Sequence, residues 1–129
     1  MASTEVHRDK YLDFKQDAEN PDVSIPTRIQ VYFNALFHLI EMTVSRHEVH
    51  INRHQHIRRE LEANAFVFGE ETQTVWRGFQ EIENRIRPGQ IYGSTNDGRN
   101  LARTQQIFGA LERICLEAAD ETPTETNRL

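Results

Sequence analysis

One cysteine in 129 residues excludes an internal disulfide framework. That residue, Cys115, stands among apolar residues at helical spacing and reads as a small core side chain rather than a reactive thiol, which suits a reducing cytoplasm. No apolar run is long enough to cross a bilayer, and no basic-apolar leader opens the chain, so the expectation is a cytoplasmic protein with no membrane partner. The sequence also lacks a phosphate-binding P-loop, a Rossmann glycine fingerprint, a serine elbow, a zinc-protease motif and a Cys-x-x-Cys pair. The familiar cofactor and metal classes are therefore unsupported, and neither a cofactor nor a metal is expected. Basic residues are in the minority, 15 against 20 acidic and a net charge of −5, which argues against nucleic-acid binding by the whole surface. The deficit is uneven. Between 46 and 59 lie Arg46, Arg53, Arg58, Arg59 and four histidines against Glu48 alone, whereas Glu117, Asp120, Glu121 and Glu125 make the end acidic.

Alternating strand patterns, internal repeats and low-complexity tracts are absent, and helical periodicity runs through most of the chain. Residues 5–19 predict an amphipathic helix ending near Asn20-Pro21, and Asp22 to Pro26 a connector. A central helix is expected from Thr27 to about His50. Asn52 would then cap a third helix carrying Ile57, Leu61 and Ala65, with Gly69 as a stop signal. A fourth fits Glu70 to Ile86, and a fifth Arg99 to Ala119, separated by the proline- and glycine-bearing loop 87–98. The reading is one all-α domain over 1–119, an antiparallel helical bundle of about five helices, followed by a flexible acidic tail, 120–129. Its expected core holds Phe33, Phe37, Ile40, Leu61, Trp76, Phe79, Ile107, Phe108 and Leu111.

The central helix is apolar around most of its circumference except for a stripe of Asn34, His38, Glu41 and Ser45. Such a stripe is either an exposed strip or the wall of a cleft or self-association surface, and His38 and Glu41, three residues apart, can touch. His47, His50 and His54 would share a face if the helix ran straight through Asn52, and imidazoles so spaced can ligate zinc, but no fourth ligand accompanies them. Arg53 to Arg59 alternates cations with imidazoles, the pairing that phosphate binding or RNA cleavage uses, or equally a charged outer helix face. In the 87–98 loop, Arg87, Tyr92 and Asn96 can contact a phosphate and a base, or Tyr92 can plug the bundle end.

The run Arg28-Ile-Gln-Val-Tyr-Phe-Asn-Ala-Leu-Phe-His-Leu-Ile-Glu41, then His50, His54 through Arg58, and Arg87-Pro-Gly-Gln-Ile-Tyr-Gly93, resembles the small stand-alone HEPN (higher eukaryotes and prokaryotes nucleotide-binding) proteins over roughly residues 28–115. The resemblance implies an antiparallel helical bundle, a homodimer, and a role in RNA cleavage, in nucleotide binding, or in a toxin–antitoxin or defence pair with a nucleotidyltransferase-type antitoxin. Excess apolar surface on the central and last helices points to the same dimer. His38, His54, Arg58, Arg87 and Tyr92 match the family's pattern, and His54, Arg58, Arg87 and Tyr92 are the RNA or nucleotide contacts it implies. Catalytic members carry an Arg-x4-6-His motif that this chain lacks, so the isolated chain is expected to be inactive or weak. Were it to cleave RNA, His54 beside Arg58 would be the acid–base group, with His38 and Glu41 the second choice. A noncatalytic protein–protein interaction module is the competing reading.

Overall fold

The computed structural model describes residues 3–88 and 97–120. Five α-helices occupy them, α1 (Thr4–Ala18), α2 (Ile25–Ser45), α3 (Ile57–Ala63), α4 (Thr72–Glu81) and α5 (Asp97–Ala118), and no strand occurs among the described residues. The fold is an all-α bundle. Tyr92 and Asn96 of the internal loop and the 121–129 part of the tail lie outside the described residues.

Helix ends follow local chemistry. Ser3 caps α1, its side chain accepting the Val6 amide at 3.2 Å. Helix α2 opens from extended Ser24 with Pro26 in its first turn, where the missing amide proton costs nothing, so it begins two residues earlier than Thr27. It also stops at Ser45, well short of His50. Val49 donates to the Val44 carbonyl at 3.0 Å and Glu48 to Ser45 at 3.0 Å, with Glu48 at φ 64°, which together make a Schellman ending. Glycine usually holds that left-handed position, so a glutamate there hid the stop from sequence inspection.

Asn52 caps nothing. The chain instead enters α3 through a 3-10 turn at His54–His56, and α3 ends before Ala65, where Asn64 Nδ2 donates to the Glu60 carbonyl at 2.8 Å. Gly69, at φ 57°, is not the stop of this helix, which is capped at Asn64; it ends the turn that follows. A second 3-10 turn, Gly69–Glu71, leads into α4, whose predicted length to Ile86 is completed by a π turn over Ile82–Ile86.

Contacts along the helices give their directions. Thr4 meets Ser45, and Arg28 Nε donates to the Ala18 carbonyl, so α1 and α2 are antiparallel. Phe79 packs on Phe33 and Phe37 while Arg87 reaches Gln30, so α4 is antiparallel to α2. Tyr32 packs on Phe108 and the Thr43 hydroxyl is shared between the Leu39 and Cys115 carbonyls, so α5 runs parallel to α2. Sequence neighbours α1, α2, α4 and α5 therefore alternate in direction, with α3 as a short cross-piece. Gly78 lets α4 approach α5 closely; a Cβ there would lie 3.0 Å from Leu111 and 3.2 Å from Ile107.

The expected core residues are buried with one exception. Phe37 is only partly buried and packs at the edge of the cluster. Cys115 is fully buried, and desolvation pushes its thiol up to about 12, so it is a core residue. Among the described residues the exposed large apolar side chains are Val6 and Leu12 on α1 and Phe66 after α3, while Val31 and Phe37 of α2 and Ile114 of α5 are partly buried. Truncation of the fully buried Phe79 to Ala should cost about 3–5 kcal/mol in denaturant unfolding, and Phe37→Ala a smaller loss of about 1–2 kcal/mol. Equal losses at the two positions would contradict this placement of the core.

Candidate functional site

The buried ring of Phe33, on the first half of α2, is the point at which two of the expected polar residues meet. The Arg87 guanidinium lies over its face, 4.0 Å from the centroid, and the His54 ring meets it edge-on with centroids 5.2 Å apart. Phe79 stacks against it at 5.0 Å and closes the apolar side. Arg87 Nε donates to Gln30 Oε1 at 3.0 Å, and Gln30 donates in turn to Asn34 Oδ1 at 3.1 Å, so the upper part of the polar stripe on α2 holds this arginine. His54 Nδ1 lies 2.5 Å from Glu83 Oε2, a carboxylate only 9% exposed, whereas the imidazole is 35% exposed. Among the described residues Arg87 has no carboxylate partner.

Arg58 is placed otherwise. It lies over the Trp76 ring at 4.2 Å and pairs with Glu62 at 3.3 Å, so the carboxylate of Glu83, not Arg58, is the charged neighbour of His54. Arg59 is held by His56 and Glu60 at the outer face of α3. Tyr92 lies outside the described residues. Two open surface hollows of about 340 Å³ are found elsewhere, one bordered by Arg28, Tyr32, Gln105 and Glu112, the other by Arg77, Glu81, Arg103 and Gln106; neither is lined by His54, Arg58 or Arg87.

The lower part of the α2 stripe is mostly covered by α1 rather than lying as an open strip. Thr4 Oγ1 and Ser45 Oγ are 2.6 Å apart, His7 Nδ1 and His38 Nδ1 3.0 Å, and His7 Nδ1 and Glu41 Oε1 3.4 Å; His38 Nδ1 and Glu41 Oε1, 3.8 Å apart, touch as their spacing predicted. Burial, then the neighbouring His7 and Lys10, pushes the His38 imidazole down to about 4. Burial likewise lowers His7, with a smaller effect from His50, and raises the Glu41 carboxyl to about 7. The expected His47/His50/His54 face does not form, since α2 ends before it: His47 Nε2 donates to the Ala118 carbonyl at 3.1 Å while His54 turns to Glu83.

Sequence reasoning missed Glu83, Gln30 and His7. Gln30, between Ile29 and Val31, and Glu83, between Ile82 and Asn84, carry no local sign of their partners, which only the tertiary fold supplies. His7 carried a signal: with Tyr11, Phe14 and Ala18 it completes the i, i+4, i+7, i+11 stripe of α1 that faces α2. No family model, no curated protein and no solved structure matches the chain. If His54 and Glu83 form one unit, His54→Ala should destabilise the protein by about 1–3 kcal/mol through the carboxylate it leaves unpaired, and a double-mutant cycle with Glu83→Ala should return a coupling of at least about 0.5 kcal/mol. Strictly additive losses would separate the two.

Proposed function

We propose that the protein is a HEPN-like nucleotide- or RNA-binding protein, one component of a toxin–antitoxin or defence pair, with Arg87, His54, Arg58 and Tyr92 as its contacts. The observation that carries this reading is the arrangement about Phe33. An arginine held over that ring without a carboxylate partner among the described residues stands beside a part-exposed imidazole. Phe33 is buried and cannot stack a base; it holds the two polar groups in position. Arg58, steadied by Trp76, adds a second cation on the exposed face of α3. A guanidinium so fixed loses little freedom on meeting a phosphate, and a partly exposed imidazole can donate or accept beside it. The partners proposed with this function are a second copy of the chain and a nucleotidyltransferase-type antitoxin.

A noncatalytic interaction module is the second reading, and one observation favours it. Phe66 is 68% exposed beside His47, the kind of anchor that a protein partner covers. Salt separates the two. Fluorescence anisotropy with labelled single-stranded RNA should show affinity falling with salt by a slope of roughly 0.7 per neutralised phosphate, and Arg87→Ala and Arg58→Ala should each reduce that slope by about one contact. Pooled RNA incubated in EDTA should stay intact, given the missing Arg-x4-6-His motif; cleavage abolished by His54→Ala would assign that residue the acid–base role instead. Light scattering should give twice the chain mass. Failure to bind RNA or nucleotide at low salt would leave the interaction module as the function.

A further inference from the structure

Where α1 crosses the end of α2, three donor atoms converge from residues distant in sequence. His7 Nδ1, His38 Nδ1 and Glu41 Oε1 are separated by 3.0, 3.4 and 3.8 Å. The point equidistant from three atoms at those separations lies about 2 Å from each, which is the bond length of about 2.0–2.2 Å that zinc makes to imidazole nitrogen and carboxylate oxygen. We propose that His7, His38 and Glu41 bind one divalent transition-metal ion, zinc by preference, within a single chain.

Several features beyond the distances support a site. Phe14 stacks on the His38 ring with centroids 5.8 Å apart and Phe37 lies 5.9 Å away, so packing restricts how that ring can turn. Glu41 is 8% exposed, and among the described residues no lysine or arginine pairs with it; its titratable neighbours are the two imidazoles. A carboxylate so buried calls for a cation. Two neutral imidazoles can meet through their Nδ1 atoms only if one carries its proton there, and an ion at the common centre replaces that proton. Two nitrogens and one oxygen are the donor set of catalytic zinc sites, which keep a fourth position for water. The side chains remain 10%, 20% and 11% exposed, so an ion can enter. Lys10 is exposed near His38 and does not pair with Glu41.

The site stands apart from the His54 cluster, so its test does not depend on RNA binding. Full-length protein stripped with EDTA and dialysed should take up one zinc per chain in calorimetric titration, with a dissociation constant below about 10 μM, and its melting temperature should rise with added zinc. His7→Ala, His38→Gln and Glu41→Gln should each weaken binding by at least about 10-fold, while His56→Ala leaves it unchanged. Circular dichroism identifies any variant that fails to fold, and His38→Gln, which preserves side-chain length, keeps the comparison sound if an alanine variant does not. The proposal is overturned by no zinc uptake, by uptake that survives all three substitutions, by loss in His56→Ala alone, or by one zinc per two chains.

Discussion

The fold depends on burying α2 without stranding its polar groups. Ile29, Phe33, Leu36, Leu39, Ile40, Met42 and Val44 place this helix at the centre of the bundle, so whatever polar side chains it carries must find partners inside the protein. Two elements far apart in sequence supply them. Arg87, just beyond the π turn, satisfies Gln30, and through it Asn34; α1 brings Thr4 and His7 to Ser45, His38 and Glu41. Thr43, also buried, is satisfied by carbonyls, including that of Cys115 on α5. Each neighbour of α2 is thus positioned by polar contacts as well as by apolar packing, and these contacts select one register among the several that greasy surfaces alone would permit.

The ending of α2 matters as much as its surface. Because the chain turns at Glu48, it leaves the α2 axis and brings His54 back beside the Phe33 ring. An α2 continuing to His50 would have carried the chain onward along its own axis. The same turn leaves His47 at the α5 end of the bundle, against Ala118, so that three histidines closely spaced in sequence serve different neighbourhoods.

Helical class, number and most of the core were legible because 3.6-residue periodicity is a local property that Trp76, Phe79, Ile107, Phe108 and Leu111 carry in their own spacing. The turn at Gly69 was legible on another ground, since glycine takes a positive φ without strain. What could not be read depended on an unusual backbone state or on distant sequence. Glu48 in a left-handed conformation gives no compositional sign, and the meeting of His54 with Glu83, or of His7 with Glu41, is decided by packing between helices. Arg87 and His54 were identifiable as individuals; the ring that brings them together was assigned simply to the core.

The π turn at Ile82–Ile86 has a consequence for how this chain can vary in length. The Arg87 amide bonds to the Ile82 carbonyl, five residues back rather than four, so this turn holds one residue more than an α-helix would. Five residues here complete about the turn that four complete in an α-helix, so losing one of them would restore a regular turn and leave Arg87 facing the Phe33 ring much as it does now. The chain can therefore shorten by one residue at this turn and keep its arginine over the ring, whereas the same deletion within α4 would swing Arg87 about 100° away from it.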